Sequence, residues 1–148
     1  MRSRRSAGGF RPLRKLVLIG VIAAVSLIAA GCGAVNRVTS GDPVAGKALF
    51  KQDCGACHML ADAGTTGTVG PNLDSAFEAV KSKPFVSGDT EQTIRDIVRG
   101  QIAYADEDPG TGHPGMPPNL LTGQQARDVA VYIAQCSAVP HCDLKPVG

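Results

Sequence analysis

Cys54-Gly55-Ala56-Cys57-His58 places two thiols and an imidazole within five consecutive residues. Two intervening residues let the backbone turn tightly, so both sulfurs can meet the same edge of a planar ligand while the histidine reaches over one face. The C-x-x-C-H spacing is that of c-type haem attachment, in which each cysteine adds across a haem vinyl group and the histidine approaches the iron. Two other uses of these residues are weaker. A thioredoxin-like C-x-x-C needs a βαβ pattern, and here a helical run precedes it and a Gly/Thr-rich loop follows. A structural zinc wants four N or S donors. Cys136, His141 and Cys142 would supply the remote ones, but His58 and a later Met-Pro segment would then have no role.

Before the motif the chain changes character twice. Arg2, Arg4, Arg5, Arg11, Arg14 and Lys15 make the first fifteen residues basic, and Leu16 to Ala30 is apolar apart from Gly20 and Ser26. Ala29, Ala30 and Gly31 then precede Cys32. This layout is that of an export signal and implies a disulfide-permissive compartment. Leu27-Ile28-Ala29-Ala30-Gly31-Cys32 resembles a bacterial lipoprotein signal, in which the cysteine is lipidated and becomes the mature N-terminus. The rival is an uncleaved helix, because Leu16 to Val35 is a run of 20 uncharged residues, long enough to span a bilayer with its basic flank in the cytoplasm. Both of these readings hold the protein at the outer face of the cytoplasmic membrane, whereas the third, a plain cleaved signal, would leave it unanchored. The expected organisation is a signal or anchor over 1–31, a tether over 32–41 and one folded domain over 42–148.

From Cys32 onward nine Lys/Arg face thirteen Asp/Glu. The folded part is therefore mildly acidic, which argues against nucleic acid as a partner. Four Phe, two Tyr and no Trp make a thin core for a domain of this size, and a buried porphyrin would add the missing apolar mass. No internal repeat, strand-period run or second C-x-x-C-H is present, so the expected fold is all-α: four to five helices around one haem.

Asp42-Pro43 reads as N-cap and first helical residue, with Ala45, Ala48, Leu49 and Phe50 on an apolar face through about Gln52. Gly46 inside this helix suits close approach of another helix, or is a tolerated surface glycine. Met59 follows the proximal histidine too closely to reach the opposite face and reads as packing. Gly70-Pro71-Asn72-Leu73 is either a carbonyl-presenting turn that fixes the free ring nitrogen of His58 or simply a helix-initiating turn.

A short helix over Asp74 to about Lys83 is stopped by Pro84. The next runs from Glu91 to Arg99, with Ile94, Ile97 and Val98 apolar and Gly100 ending it. Residues 101–121 form a long loop. Within it, Gly115-Met116-Pro117-Pro118 offers the thioether expected as the second axial ligand, with His113 the competing donor. Asp106-Glu107-Asp108 in the same loop is a solvated turn or an acidic docking patch for a basic partner. Thr122 to Gln125 reads as a capping box opening a last helix to about Gln135, whose apolar face is Val129, Tyr132 and Ile133. Cys136 and Cys142 frame a short segment and are expected to pair as a disulfide.

From Asp42 to about Gln135 the chain resembles a class I monohaem cytochrome c. Gly46 and Phe50 match the first-helix positions that cross the last helix, and Val129 and Tyr132 match their counterparts. Cys54, Cys57 and His58 match the attachment motif, Pro71 the residue whose carbonyl accepts from the proximal histidine, and Met116 the distal ligand. The resemblance implies single-electron transfer between a redox donor and an acceptor by a monomer that is not itself an enzyme. The alternatives are a relay subunit of a terminal oxidase or periplasmic dehydrogenase, with a membrane-bound respiratory complex as partner, and a haem-based sensor or peroxidase.

Overall fold

The computed structural model describes residues 37–148 except 83–89, 109, 111 and 113. The signal segment, Cys32, Pro84 and His113 lie outside the described residues. Among those described there are four α-helices, and none is long and apolar enough to cross a membrane.

Helix α1 spans Pro43–Leu49, capped by the Asp42 carboxylate, which accepts from the Val44 and Ala45 N–H groups at 2.8 and 3.3 Å. The expected α-helix does not simply continue to Gln52. Phe50–Cys54 widens into a π-turn, closed by a bond from the Gly55 N–H to the Phe50 carbonyl at 2.8 Å. Such wide turns concentrate at functional sites, and this one runs straight into the C-x-x-C-H segment. The buried stripe of this region is Pro43, Gly46 and Phe50, whereas Ala48 is exposed. The apolar face read around Ala48 is therefore rotated, because the glycine makes the inner contact.

That contact is with α4, Gly123–Cys136. A Cβ on Gly46 would collide with the Asp128 carbonyl and stand 2.9 Å from the Tyr132 Cβ. Only a bare backbone allows this crossing, so close approach is the reading that holds for Gly46. Phe50 and Tyr132 then pack with ring centroids 5.9 Å apart, tilted by 57°. The Tyr132 hydroxyl donates to Asp62 at 2.8 Å, and Lys47 pairs with the same carboxylate oxygen at 2.9 Å. One carboxylate thus ties α1, α4 and the intervening loop together.

Between these helices lie a small antiparallel hairpin, β1 (Met59–Leu60) with β2 (Thr65–Thr66), and helices α2 (Leu73–Ser82) and α3 (Thr90–Ala103). Helix α3 passes through Gly100, which was expected to end it. The helix-breaking cost of one glycine, about 1 kcal/mol, is outweighed by burial of Ile102 and Ala103 beyond it. Thr122 stands at the N-cap of α4 as expected, but the capping box is not formed: its side chain makes no cap bond. Gly123 has φ +55°, which turns the first helical residue away from standard geometry. Gln124 instead serves Asp128 and Arg127 at 2.7 Å each.

The end of α4 is secured from α2. Lys81 donates to the carbonyls of Gln135 and Ser137 at 3.2 and 2.5 Å, and Asp74 accepts from the Ala138 N–H at 2.8 Å. Cys136 and Cys142 are joined by a disulfide. Beyond it the tail returns to the N-terminal side, where Val147 and Gly41 exchange backbone bonds of 2.7 and 3.0 Å. Val38 is buried, its N–H held by Asp96 at 2.8 Å and its carbonyl by Gln92 at 3.1 Å. Ordered packing therefore begins ahead of Asp42.

Gly46→Ala is expected to destabilise the protein by about 1–3 kcal/mol or more, read from chemical denaturation. The Tyr132 phenol is pushed well above its usual 10.0 by burial, then by its bond to Asp62 and the charges of Asp62 and Asp74. The native state keeps a proton that the unfolded chain loses above that pH. Stability is therefore complete below pH 10 and falls above it by about 1.4 kcal/mol per pH unit. In Tyr132→Phe, denaturation midpoints compared on the two sides of pH 10 should lack that component of the slope.

Candidate cofactor site

Helices α2, α3 and α4 and the end of the π-turn enclose a cavity of about 490 Å³, within the range of cofactor sites. Its walls are mainly apolar. Phe50 and Phe77 close one part, Val98 and Ile102 another, and Val129 and Ile133 present the inner face of α4. Cys54, His58, Pro71 and Met116 also line it. Val69 and Ile97 line it too, yet are 40% and 46% exposed, so they mark its rim. Ile97, one of the apolar residues of α3, thus stands at the rim while Ile94 and Val98 are buried.

The local backbone explains the aim of His58. The Cys57 and His58 N–H groups both donate to the Cys54 carbonyl, at 3.0 and 2.9 Å, folding the motif into a tight turn. The Thr65 hydroxyl donates to the His58 carbonyl at 2.9 Å and accepts from the Leu60 N–H at 3.0 Å. The hairpin thereby clamps the histidine backbone from behind. His58 Nδ1 lies 3.0 Å from the Pro71 carbonyl. In the tautomer that donates this bond, the Nε2 lone pair is left free for a metal.

Gly70 completes the fit: a Cβ there would meet the imidazole, 2.7 Å from Nδ1 and 2.8 Å from Nε2. The turn also initiates α2, because Asn72 Oδ1 accepts from the Asp74 and Ser75 N–H groups at 2.9 and 3.4 Å. Both readings of Gly70 to Leu73 therefore apply at once.

The two cysteines differ. Cys54 is buried, and burial, then Asp53 and Cys57, push its thiol up to about 11. Cys57 is exposed and is not among the described residues lining the cavity. Met116 is partly buried at the wall, and its loop is tied to α3 by the Asn119 N–H donating to the Ile102 carbonyl at 2.7 Å. Met59 is turned elsewhere, its sulfur accepting from Asn72 Nδ2 at 3.2 Å. His141 lies in a separate polar groove with Glu91 and Asp143. The Cys136–Cys142 disulfide removes both thiols from any zinc set.

Sequence reading did not find Thr65, Gln101 or Asp106 at the site. Thr65 gives no local signal, since its role depends on a hairpin only two residues deep. Gln101 stands one helical turn after Ile97, a spacing that would have placed it on the same wall had the helix been read past Gly100. An apolar cavity lined by a protein-fixed imidazole, a thioether and the buried cysteine of the motif fits a haem with covalent attachment.

A sequence model of the family "Cytochrome c" matches residues 43–137, from the start of α1 to the end of α4. Among curated proteins, none matches the chain. The family match covers well over half of the chain and brings with it a covalently bound c-type haem and haem-based electron transfer. With its attachment motif, its helices and its cavity thus accounted for, the chain belongs to the cytochrome c family.

Proposed function

We propose that the protein is a single-electron carrier whose haem is bonded to Cys54 and Cys57 and ligated by His58 and Met116, and that it works at the outer face of the cytoplasmic membrane. The observation that carries the ligand assignment is that His58 and Met116 line one cavity while the Pro71 carbonyl engages His58 Nδ1. When bound, the haem supplies a reversible one-electron change at iron. The residues around it do the rest. Pro71 and Gly70 hold the imidazole in one orientation. Phe50, Phe77 and Val129 keep water from the cavity, which lowers the reorganisation that accompanies a change of charge. Val69 and Ile97 leave an apolar rim where a donor or acceptor protein can approach.

The basic-then-apolar N-terminal pattern ahead of Cys32 supports attachment to the membrane, by lipid on Cys32 or by a retained helix. Intact mass of the mature protein separates these: acyl increments on a chain starting at Cys32 mean lipid, and an unprocessed chain means a helix.

Met116→Ala tests the axial assignment. The variant should keep its haem, lose the weak far-red charge-transfer band of sulfur ligation in the ferric state, and turn high-spin. Persistence of that band would refute Met116 as the ligand.

A further inference from the structure

The segment Asp106 to Asp108 has a definite place in the fold. Asp106 lines the cavity wall, and it is the only carboxylate among the described lining residues, which include no Lys or Arg. Its Oδ1 accepts from the Asp108 N–H at 3.0 Å, and Asp108 Oδ1 accepts from the Gly110 N–H at 3.2 Å. These side chains fold the acidic segment onto itself. The Met116 loop rests on it: a Cβ on Gly115 would collide with the carbonyls of Asp106 and Glu107. The glycine next to the thioether thus lies flat against the backbone that carries the carboxylate.

We propose that Asp106 is a positioning residue for electron transfer: its charge at the cavity wall holds the haem reduction potential down, and its turn seats the Met116 loop. This deepens the function proposed above and rests, in its second half, on Met116 as ligand. The sign follows from Coulomb's law. A fixed negative charge favours the iron state that carries one more positive charge, the oxidised one, so removing it favours reduction. Asp106 is exposed, so salt screens the effect.

The test uses the full holoprotein. Asp106→Asn removes the charge but keeps an oxygen able to accept from the Asp108 N–H. At an ambient potential equal to the parent's midpoint, its oxidised-to-reduced ratio should fall about two- to five-fold in low salt, and by less in high salt. Its far-red ferric band should be unchanged. Asp106→Ala loses the turn as well, and its far-red band should vanish at a lower temperature than in Asp106→Asn. Asp143→Asn, a carboxylate outside the cavity, controls for net charge and should leave the midpoint in place. A midpoint in Asp106→Asn equal to that of the parent or of Asp143→Asn overturns the charge role. Equal thermal loss of the band in the Asn and Ala variants overturns the seating role. A parent lacking the band altogether refutes Met116 ligation and the seating role with it, while the charge comparison, which needs only bound haem, is still decisive.

Discussion

The backbone contact between Gly46 and Asp128 is the constraint on which the rest of the architecture depends. It sets the distance between the first and last helices, and no side chain can be inserted there without moving one of them. Because α1 runs through a π-turn into the attachment motif, fixing α1 against α4 also fixes where Cys54 and His58 enter the cavity. Phe50 stands at the junction, touching Tyr132 on one side and the cavity on the other. Asp62 reinforces the crossing by accepting from Tyr132 and pairing with Lys47.

The imidazole is held from a second direction. Its backbone is clamped by Thr65 and its ring by the Pro71 carbonyl and the bare face of Gly70. These contacts come from the hairpin and the turn that join the attachment motif to α2. Met116 and Asp106 belong to the connection between α3 and α4, and their placement depends on Asn119 bonding to Ile102 and on Gly115 lying against the acidic turn. Met116 and Asp106 thus sit on a loop, where substitutions disturb the helical frame least.

The attachment motif, the Asp42-Pro43 helix start, the Gly46 crossing and the apolar face of α4 rest on spacing or on single-residue chemistry, and each could be read locally. The α-helical reading failed at Phe50–Cys54 because a π-turn has no compositional mark. It failed at Gly100 because the helix there is sustained by burial of Ile102, which is a tertiary effect. The capping box at Thr122 was undone by the positive φ of Gly123, a backbone choice that the pattern of Thr and Gln cannot reveal. Asp106 reads in sequence as part of a solvated turn or a docking patch, and its place at the cavity wall is a tertiary placement that spacing does not show.

The central claim is that a haem is joined to this polypeptide through the two cysteines of the motif. Acid–acetone extraction of protein matured in a host that attaches c-type haem tests it most directly, followed by the pyridine haemochrome spectrum of the residue. The account predicts that the porphyrin stays with the polypeptide, and that Cys54→Ser/Cys57→Ser releases it. A colourless residue from the parent protein, or haem retained when both cysteines are gone, would contradict it.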